Sequence, residues 1–372
     1  MKQNSETGRM MHPLYQELKG LLKQRISWTG HKDTFHTLVS MMLGIFLCRD
    51  VRLGKIASKS GLSGQIESIE QRYRRWLKNP RIKARTIVDP IAKQLLFSRK
   101  KRWIRLQIDR TIIDGGFNVL MVTFYHRRRA IPLAWTILPH SGSCSQKDWK
   151  PLLKRVNKMI SKRSRILVLG DREFGTVDLM RFCQTMGWFF DLRVKRTYTV
   201  ANLHQGFPLQ WKTLGSLLAF RGQVRFIRDW LYVQDEFFRV NFVLTCAEDS
   251  DDPWILATNL PPTQRVIEEY KRRFGCEEFF SDMKARGFDV EKTQLRHADR
   301  FDRLLIVLVL LAFWLWSTAR RLFVTRQIRS LVGQCHQHRY SHFQLAYRWL
   351  ERQITNRLSI IPDPQYQFGL FA

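Results

Sequence analysis

WIRLQIDRT at Trp103–Thr111 and RILVLGD at Arg165–Asp171 are the two stretches on which the fold turns. In the first, Ile104, Leu106 and Ile108 fall on one face at the period of two that marks a strand. The second is a short apolar run closed by an acid, the pattern of a strand buried on both faces. The punctuation around them is regular. The Gly115–Gly116 turn leads into FNVLMVTFYH, and the basic turn Arg127–Arg128–Arg129 leads on into AIPLAWTIL. A helix is expected from about Gln146 to Ser161 and another from Val177 to Gly187, ahead of a fifth strand, WFFDLRVKR.

Three strands, helix, strand, helix, strand is the order expected of a ribonuclease H-like mixed sheet, an α/β fold whose first and fourth strands are neighbours. Asp109, at the end of the first strand, and Asp171, at the end of the fourth, then finish side by side at one sheet edge. Residues 1–98 read instead as a helical domain with amphipathic runs at Phe35–Leu47 and Ile66–Leu77. Within it, a short helix at Ile56–Ala57, a Gly61–Leu62–Ser63 turn and a second helix bearing Arg72, Arg74, Arg75 and Lys78 resemble a helix-turn-helix. An ordinary small helical bundle contains the same turn, so both readings stand. Residues 197–260 are rich in aromatics and alternating apolar residues and read as a β-rich insertion, with a separate domain as the alternative. Pro261–Pro262–Thr263 ends its last strand and starts a helix. The expected division is 1–98 helical and DNA-binding, 99–196 with 261–320 ribonuclease H-like, 197–260 inserted, and 321–372 a C-terminal helical tail.

Charge narrows the partner. Sixty-three Lys and Arg against 32 Asp and Glu give the 372-residue chain a net charge of +31, spread along its length. Such an excess points to a polyanion, because each neutralised phosphate releases condensed counterions. The six cysteines are scattered, which fits a reducing cytoplasm and no disulfide framework. The N-terminus lacks the apolar core of a signal peptide. Leu304–Trp316 is wholly apolar but shorter than the roughly 20 residues a bilayer crossing needs, so it reads as a buried core helix. A membrane protein built on that segment is the competing class.

Downstream, Tyr270–Lys284 reads YKRRFGCEEFFSDMK and puts Tyr270, Arg273, Glu277 and Lys284 at offsets 0, 3, 7 and 14. On a continuous α-helix these fall in one stripe, a carboxylate sharing a face with two cations and a phenol. A solvated face with intrahelical ion pairs is the plainer explanation. Asp109, Asp171 and Glu277 together make another. Hard cations such as Mg²⁺ take oxygen ligands, and two of them clamp the attacking and leaving oxygens of a phosphoryl displacement.

These residues carry a resemblance. The sequence resembles bacterial insertion-sequence transposases of the DDE class, in the subgroup whose last acid lies in a Tyr-(2)-Arg-(3)-Glu-(6)-Lys signature. IDRT around Asp109, GDREF around Asp171 and PWILATNLP around Trp254 match as well, and the similarity covers roughly residues 30–350. It implies cut-and-paste transposition by strand nicking, a hairpin intermediate and strand transfer. Asp109, Asp171 and Glu277 become ligands of two Mg²⁺ ions, for which Mn²⁺ substitutes. Tyr270, Arg273 and Lys284 become contacts to transposon-end phosphates. A bacterial, cytoplasmic, nucleoid-associated enzyme acting as a homodimer on transposon ends and target DNA is expected. A repurposed, inactive DNA-binding descendant of such an enzyme is the alternative.

Trp254 has two readings, core residue or platform for a base flipped out of the duplex; its place 23 residues before Glu277 favours the platform. Arg172 and Glu173 either meet DNA, orient Asp171 or form a strand-end ion pair. Asp114 is expected to shape its turn, and Asp178 and Asp191 to be surface or capping acids. Cys335, His336, His338 and His342 lack a second half with zinc-ligand spacing, which makes them a solvated polar helix end.

Overall fold

The structure, a computed structural model, describes residues 12–26, 28, 30–97, 103–127, 129–205, 209–218, 221–233, 237–248, 252–284, 287–327, 331, 340–358 and 360. The chain divides into two compact units, residues 96–280 and residues 1–95 with 281–372. The sequence reading grouped 281–320 with the sheet; by packing it belongs with the N-terminal helices.

The second of these units is helical. Its elements are α1 (Pro13–Arg25), α2 (Lys32–Cys48), α3 (Leu53–Ser58), α4 (Ile66–Lys78), α5 (Ala84–Phe97), α10 (Ala298–Val324) and α11 (His342–Thr355). α10 is its axis: Leu304–Trp316 are all buried, Trp314 meets Phe46 edge-on at 5.3 Å, and Arg303 Nη1 donates to the Leu77 carbonyl at 2.7 Å. At 27 residues this helix is twice the length of its apolar run, so length does not separate it from a membrane span. Burial does. Its most apolar stretch is 94% buried within the protein, as a core helix requires. α3 and α4 flank a turn in which Gly61 takes φ +70°. On α4, Ile69, Tyr73, Trp76 and Leu77 face inward, while Arg72, Arg74, Arg75 and Lys78 are exposed. Cys335, His336 and His338 lie outside the described residues; His342 opens α11 against Phe323.

The other unit is built on one sheet. Its strands are β1 (Trp103–Ile113), β2 (Phe117–His126), β3 (Arg129–Leu138), β4 (Arg165–Gly170), β5 (Phe189–Arg193), β6 (Thr199–Ala201), β7 (Trp211–Thr213), β8 (Val224–Val233), β9 (Phe237–Thr245) and β10 (Trp254–Thr258). α6 (Gln146–Asn157) and α7 (Val177–Thr185) supply the crossovers, and α8 (Gln264–Lys271) and α9 (Phe274–Met283) follow β10. The strand order is β3-β2-β1-β4-β5-β10-β9-β8-β6-β7. The first five positions, with β1–β4 and β4–β5 parallel and β1–β2–β3 antiparallel, are the ribonuclease H-like order expected. The inserted β segment is not a separate layer. β10 pairs antiparallel with β5 at Thr258↔Asp191 and Leu256↔Arg193, so the insertion lengthens the same sheet.

Two local expectations are corrected. Asp109 is not at the end of β1, which runs on to Ile113 against β2; it stands where the parallel partner β4 stops. The Tyr270–Lys284 segment is not one helix. α8 ends at Lys271 and α9 begins at Phe274, and tight bonds span the break: Arg272 N–H to Glu269 O at 3.1 Å, Arg273 N–H to Tyr270 O at 2.9 Å. At the break the Gln107 side-chain amide donates to the Arg272 carbonyl, which also accepts the Gly275 N–H at 3.2 Å in a tight turn. Lys284 falls in the turn after α9.

Candidate active site

The alternation of WIRLQID gives β1 a second face, and that face builds the site. Arg105, Gln107 and Asp109 each hold one point on the α8–α9 junction. Arg105 pairs through two nitrogens with Glu269, its Nη2 lying 2.6 Å from Oε1. Gln107 holds the Arg272 carbonyl and accepts the Thr123 hydroxyl at 2.7 Å. Asp109 Oδ2 takes Arg273 Nη1 at 3.2 Å, and the other Arg273 nitrogen grips Glu277 in the first turn of α9. Three same-face residues of one strand thus set the position of α9, and Glu277 is brought to Asp109 by a shared guanidinium. Gly275 permits the approach: a Cβ there would meet Gln107 Nε2 at 3.3 Å and the Ala130 nitrogen at 3.4 Å.

Asp171 arrives from the neighbouring strand. The parallel register pairs Ile108 with Gly170, so Asp109 and Asp171 are each one step past the last matched pair. The two acid motifs are also bonded to each other. Arg110 Nε lies 2.9 Å from both Glu173 oxygens, Glu173 N–H donates to Asp171 Oδ1 at 2.9 Å, and Arg110 N–H donates to Asp109 Oδ1 at 2.8 Å. Glu173 also accepts the Cys144 amide at 2.7 Å, which ties the loop before α6 to the same point. Glu173 thus forms the strand-end ion pair, with Arg110, and its backbone N–H also holds Asp171.

The electrostatics follow from burial. Asp109 is 7% exposed, and burial pushes its carboxyl up to about 7. Arg273 and the Arg110 amide pull the other way, while the charges of Asp171 and Glu277 add to the rise. Glu277 is half exposed, so the acids form a mouth that is closed at Asp109 and open at Glu277. The set offers only oxygen donors, with one guanidinium already serving as a cation between two of them. That chemistry fits a hard divalent ion. Among the described residues no three of His, Cys, Asp or Glu stand together as a ready cation cage; Arg273 bridges Asp109 and Glu277.

The remaining expected residues divide. Trp254 opens β10 half-buried, with Tyr270 edge-on at 5.1 Å and Phe274 tilted at 5.7 Å. Arg193 steadies it by donating to the Pro253 carbonyl at 2.9 Å and pairing with Asp252 at 2.6 Å. Asp252 also meets Arg172, which is half exposed, at 3.4 Å. Tyr270 is not placed as an outward phosphate contact. Its ring is 1% exposed, it completes an apolar cluster with Val243, Leu256, Val266 and Ile267, and its hydroxyl is enclosed without a partner. Lys284 belongs to the helical unit and pairs with Glu291 at 2.9 Å. Asp114 sits exposed in its turn and Asp178 in the first turn of α7, as expected.

Asp191 overturns its reading as a surface acid. It is 0% exposed in β5, neither oxygen has a hydrogen-bond partner, and burial, then the charge of Glu269, raises its carboxyl well above the usual range. Sequence reasoning missed it, although an acid inside WFFDLRV was a visible anomaly. Arg105 and Gln107 were missed too, and they were legible as the polar half of an alternating strand.

Residues 145–315 match the family model described as Transposase DDE domain. That stretch contains Asp171, Trp254, Tyr270, Arg273, Glu277 and Lys284 and begins after Asp109. Among solved structures, the chain is similar to a piggyBac transposase in a synaptic complex with hairpin DNA, seen by cryo-EM. The identity is 10% and the TM-score 0.44, over 97% of this chain and 81% of that one. No curated protein matches the sequence. Over residues 145–315, the chain is thus similar to the DDE domain of transposases.

Proposed function

We propose that this protein is a DNA transposase, cutting and joining DNA strands with Asp109, Asp171 and Glu277 as its catalytic acids. What supports the reading is that Asp109 and Asp171 come from adjacent parallel strands and that Glu277 is tied to Asp109 through Arg273. These residues would hold Mg²⁺, a pair of ions in the fuller form of the proposal; such ions supply an activated nucleophile and charge neutralisation at the phosphorus.

The chain's own residues supply the rest. Glu173 and Arg110 keep Asp171 and Asp109 oriented. Arg273 and Arg172 present guanidiniums to phosphate at the mouth, where paired N–H donors match phosphate oxygens. Trp254, propped by Tyr270, Phe274 and Arg193, is the platform for an unstacked base. Stacking there is worth about 1–3 kcal/mol against the cost of flipping, which supports a hairpin intermediate in a cut-and-paste pathway. The exposed basic side of α4 suits contact with transposon-end phosphates, Lys284 is a further phosphate contact, and two ends call for a homodimer on DNA. The bacterial insertion-sequence subgroup named by the Tyr-Arg-Glu-Lys signature, and a cytoplasmic, nucleoid-associated location, belong to the same proposal.

The test begins with the DNA flanking the reading frame. Inverted repeats found there provide the substrate. Purified protein is expected to nick that end in Mg²⁺ and not in EDTA, and Asp109→Asn, Asp171→Asn and Glu277→Gln each to abolish nicking. Undiminished cleavage by Glu277→Gln would refute the assignment.

A further inference from the structure

The Arg273 side chain is 8% exposed and bridges two of the three acids: Nη1 lies 3.2 Å from Asp109 Oδ2, and Nη2 is bonded to Glu277 Oε1. Its Nε is buried with no hydrogen-bond partner. The carbon of its guanidinium lies 5.2 Å from the centroid of the Phe274 ring and 5.7 Å from that of Tyr270, so two aromatic walls limit where it can swing. A metal ion on these carboxylates would share them with the guanidinium, and the two positive charges repel at that distance. The bridge and a cation on Asp109 and Glu277 are therefore states that disfavour each other.

We propose that Arg273 is an exchange residue that couples cation loading to DNA capture. This rests on the reading of Asp109, Asp171 and Glu277 as cation ligands. Without DNA, the guanidinium neutralises Asp109 and Glu277 and holds α9 against the sheet. A DNA phosphodiester at the mouth offers the same donors a better match, two phosphate oxygens in place of two separate carboxylates. As Arg273 turns to the phosphate, the carboxylates are left to the divalent ion; as the ion binds, the guanidinium is released to the phosphate. Each ligand therefore strengthens the other, and thermodynamic linkage makes the two factors equal. The arrangement discourages the acids from loading fully, and from hydrolysing stray substrates, until DNA is in place.

The experiment uses the full-length protein and two probes, Mn²⁺ followed by the EPR signal of the free ion and a short blunt-ended DNA duplex followed by fluorescence anisotropy at low salt. For the wild type, duplex is expected to tighten Mn²⁺ binding about tenfold and Mn²⁺ to tighten duplex binding by the same factor, within the usual range of such couplings. Arg273→Gln is expected to bind Mn²⁺ several-fold more tightly than wild type without DNA, and to lose the coupling. Arg273→Lys, which keeps the charge on a single point donor, is expected to fall between them. A wild-type coupling factor of one overturns the proposal without recourse to any variant. So does an Arg273→Gln protein of unchanged melting temperature that binds Mn²⁺ no better than wild type. Asp109→Asn and Glu277→Gln separate the two levels. If they lose Mn²⁺ binding while the exchange arms fail, only the exchange falls. If they bind Mn²⁺ like wild type, the cation-site reading falls and the exchange with it.

Discussion

Replacing Asp191 with Asn should make the protein more stable, and by an amount that grows with pH. Asp191 lies wholly inside the sheet between Leu169 of β4 and Thr258 of β10, and both its oxygens are unpartnered. Burial and the nearby Glu269 carboxylate raise its folded pKa well above 3.8. In the unfolded chain it loses its proton near that ordinary value; in the folded chain it keeps the proton far longer. Across that window the folded state binds one proton more than the unfolded state, so stability falls as pH rises. The slope is about 1.4 kcal/mol per pH unit, and it ends once the folded carboxyl itself ionises. Asn has nearly the same shape and no charge to lose, so this slope vanishes in the variant. The two proteins should therefore be within about 1 kcal/mol of each other below about pH 3, where wild-type Asp191 is protonated in both states. Above that, the variant should gain roughly 1.4 kcal/mol per unit, or about 3–6 °C in melting temperature for a unit of this size. Urea unfolding at pH 4, 5, 6 and 7 on both proteins measures the difference directly. A stability gap that does not change with pH, or that closes as pH rises, would refute the reasoning.

Two further perturbations test the scaffold. Arg105→Ala leaves Glu269, 4% exposed, without its two-nitrogen partner and with Arg272 at 3.1 Å, and should cost about 3 kcal/mol in denaturant unfolding; Arg105→Met combined with Glu269→Met should recover most of it, because the buried pair is then removed as a whole. Gly175→Ala places a Cβ 2.2 Å from the Arg193 carbonyl oxygen, so β5 must shift; about 3 kcal/mol or more of stability should be lost, together with the Arg193 grip on Pro253, measurable as a drop in melting temperature and a change in Trp254 fluorescence.

The sheet was legible because its signals are local. WIRLQIDRT alternates, RILVLGD does not, and a turn or helix separates each strand from the next. Pairing of the first and fourth strands then follows from topology, and with it the neighbourhood of Asp109 and Asp171. The acids of the site were visible for the same reason. What escaped depends on contacts between segments far apart in sequence. The break at Arg272–Arg273 is held by a side chain 165 residues away, the Gln107 amide on the Arg272 carbonyl, and helical periodicity carries no trace of that contact. Asp191 lies in a strand that would be an edge if the insertion were a separate domain. β10 pairs there and buries it, so its burial follows from a strand pairing that the spacing of β6–β10 did not reveal. Tyr270 looked like a polar ligand because its neighbours in sequence are charged, yet its neighbours in space are Val243, Leu256, Val266 and Ile267.

The central claim is that Asp109, Asp171 and Glu277 act on DNA phosphate as one cation site. Crystals of the protein with its transposon-end DNA, grown in Mn²⁺ and measured at the manganese absorption edge, test it most directly. The account predicts anomalous density bounded by carboxylate oxygens of Asp109, Asp171 and Glu277, with Arg273 turned from the acids to the DNA backbone. Density elsewhere, or none with the DNA bound and Arg273 still bridging Asp109 and Glu277, would contradict it.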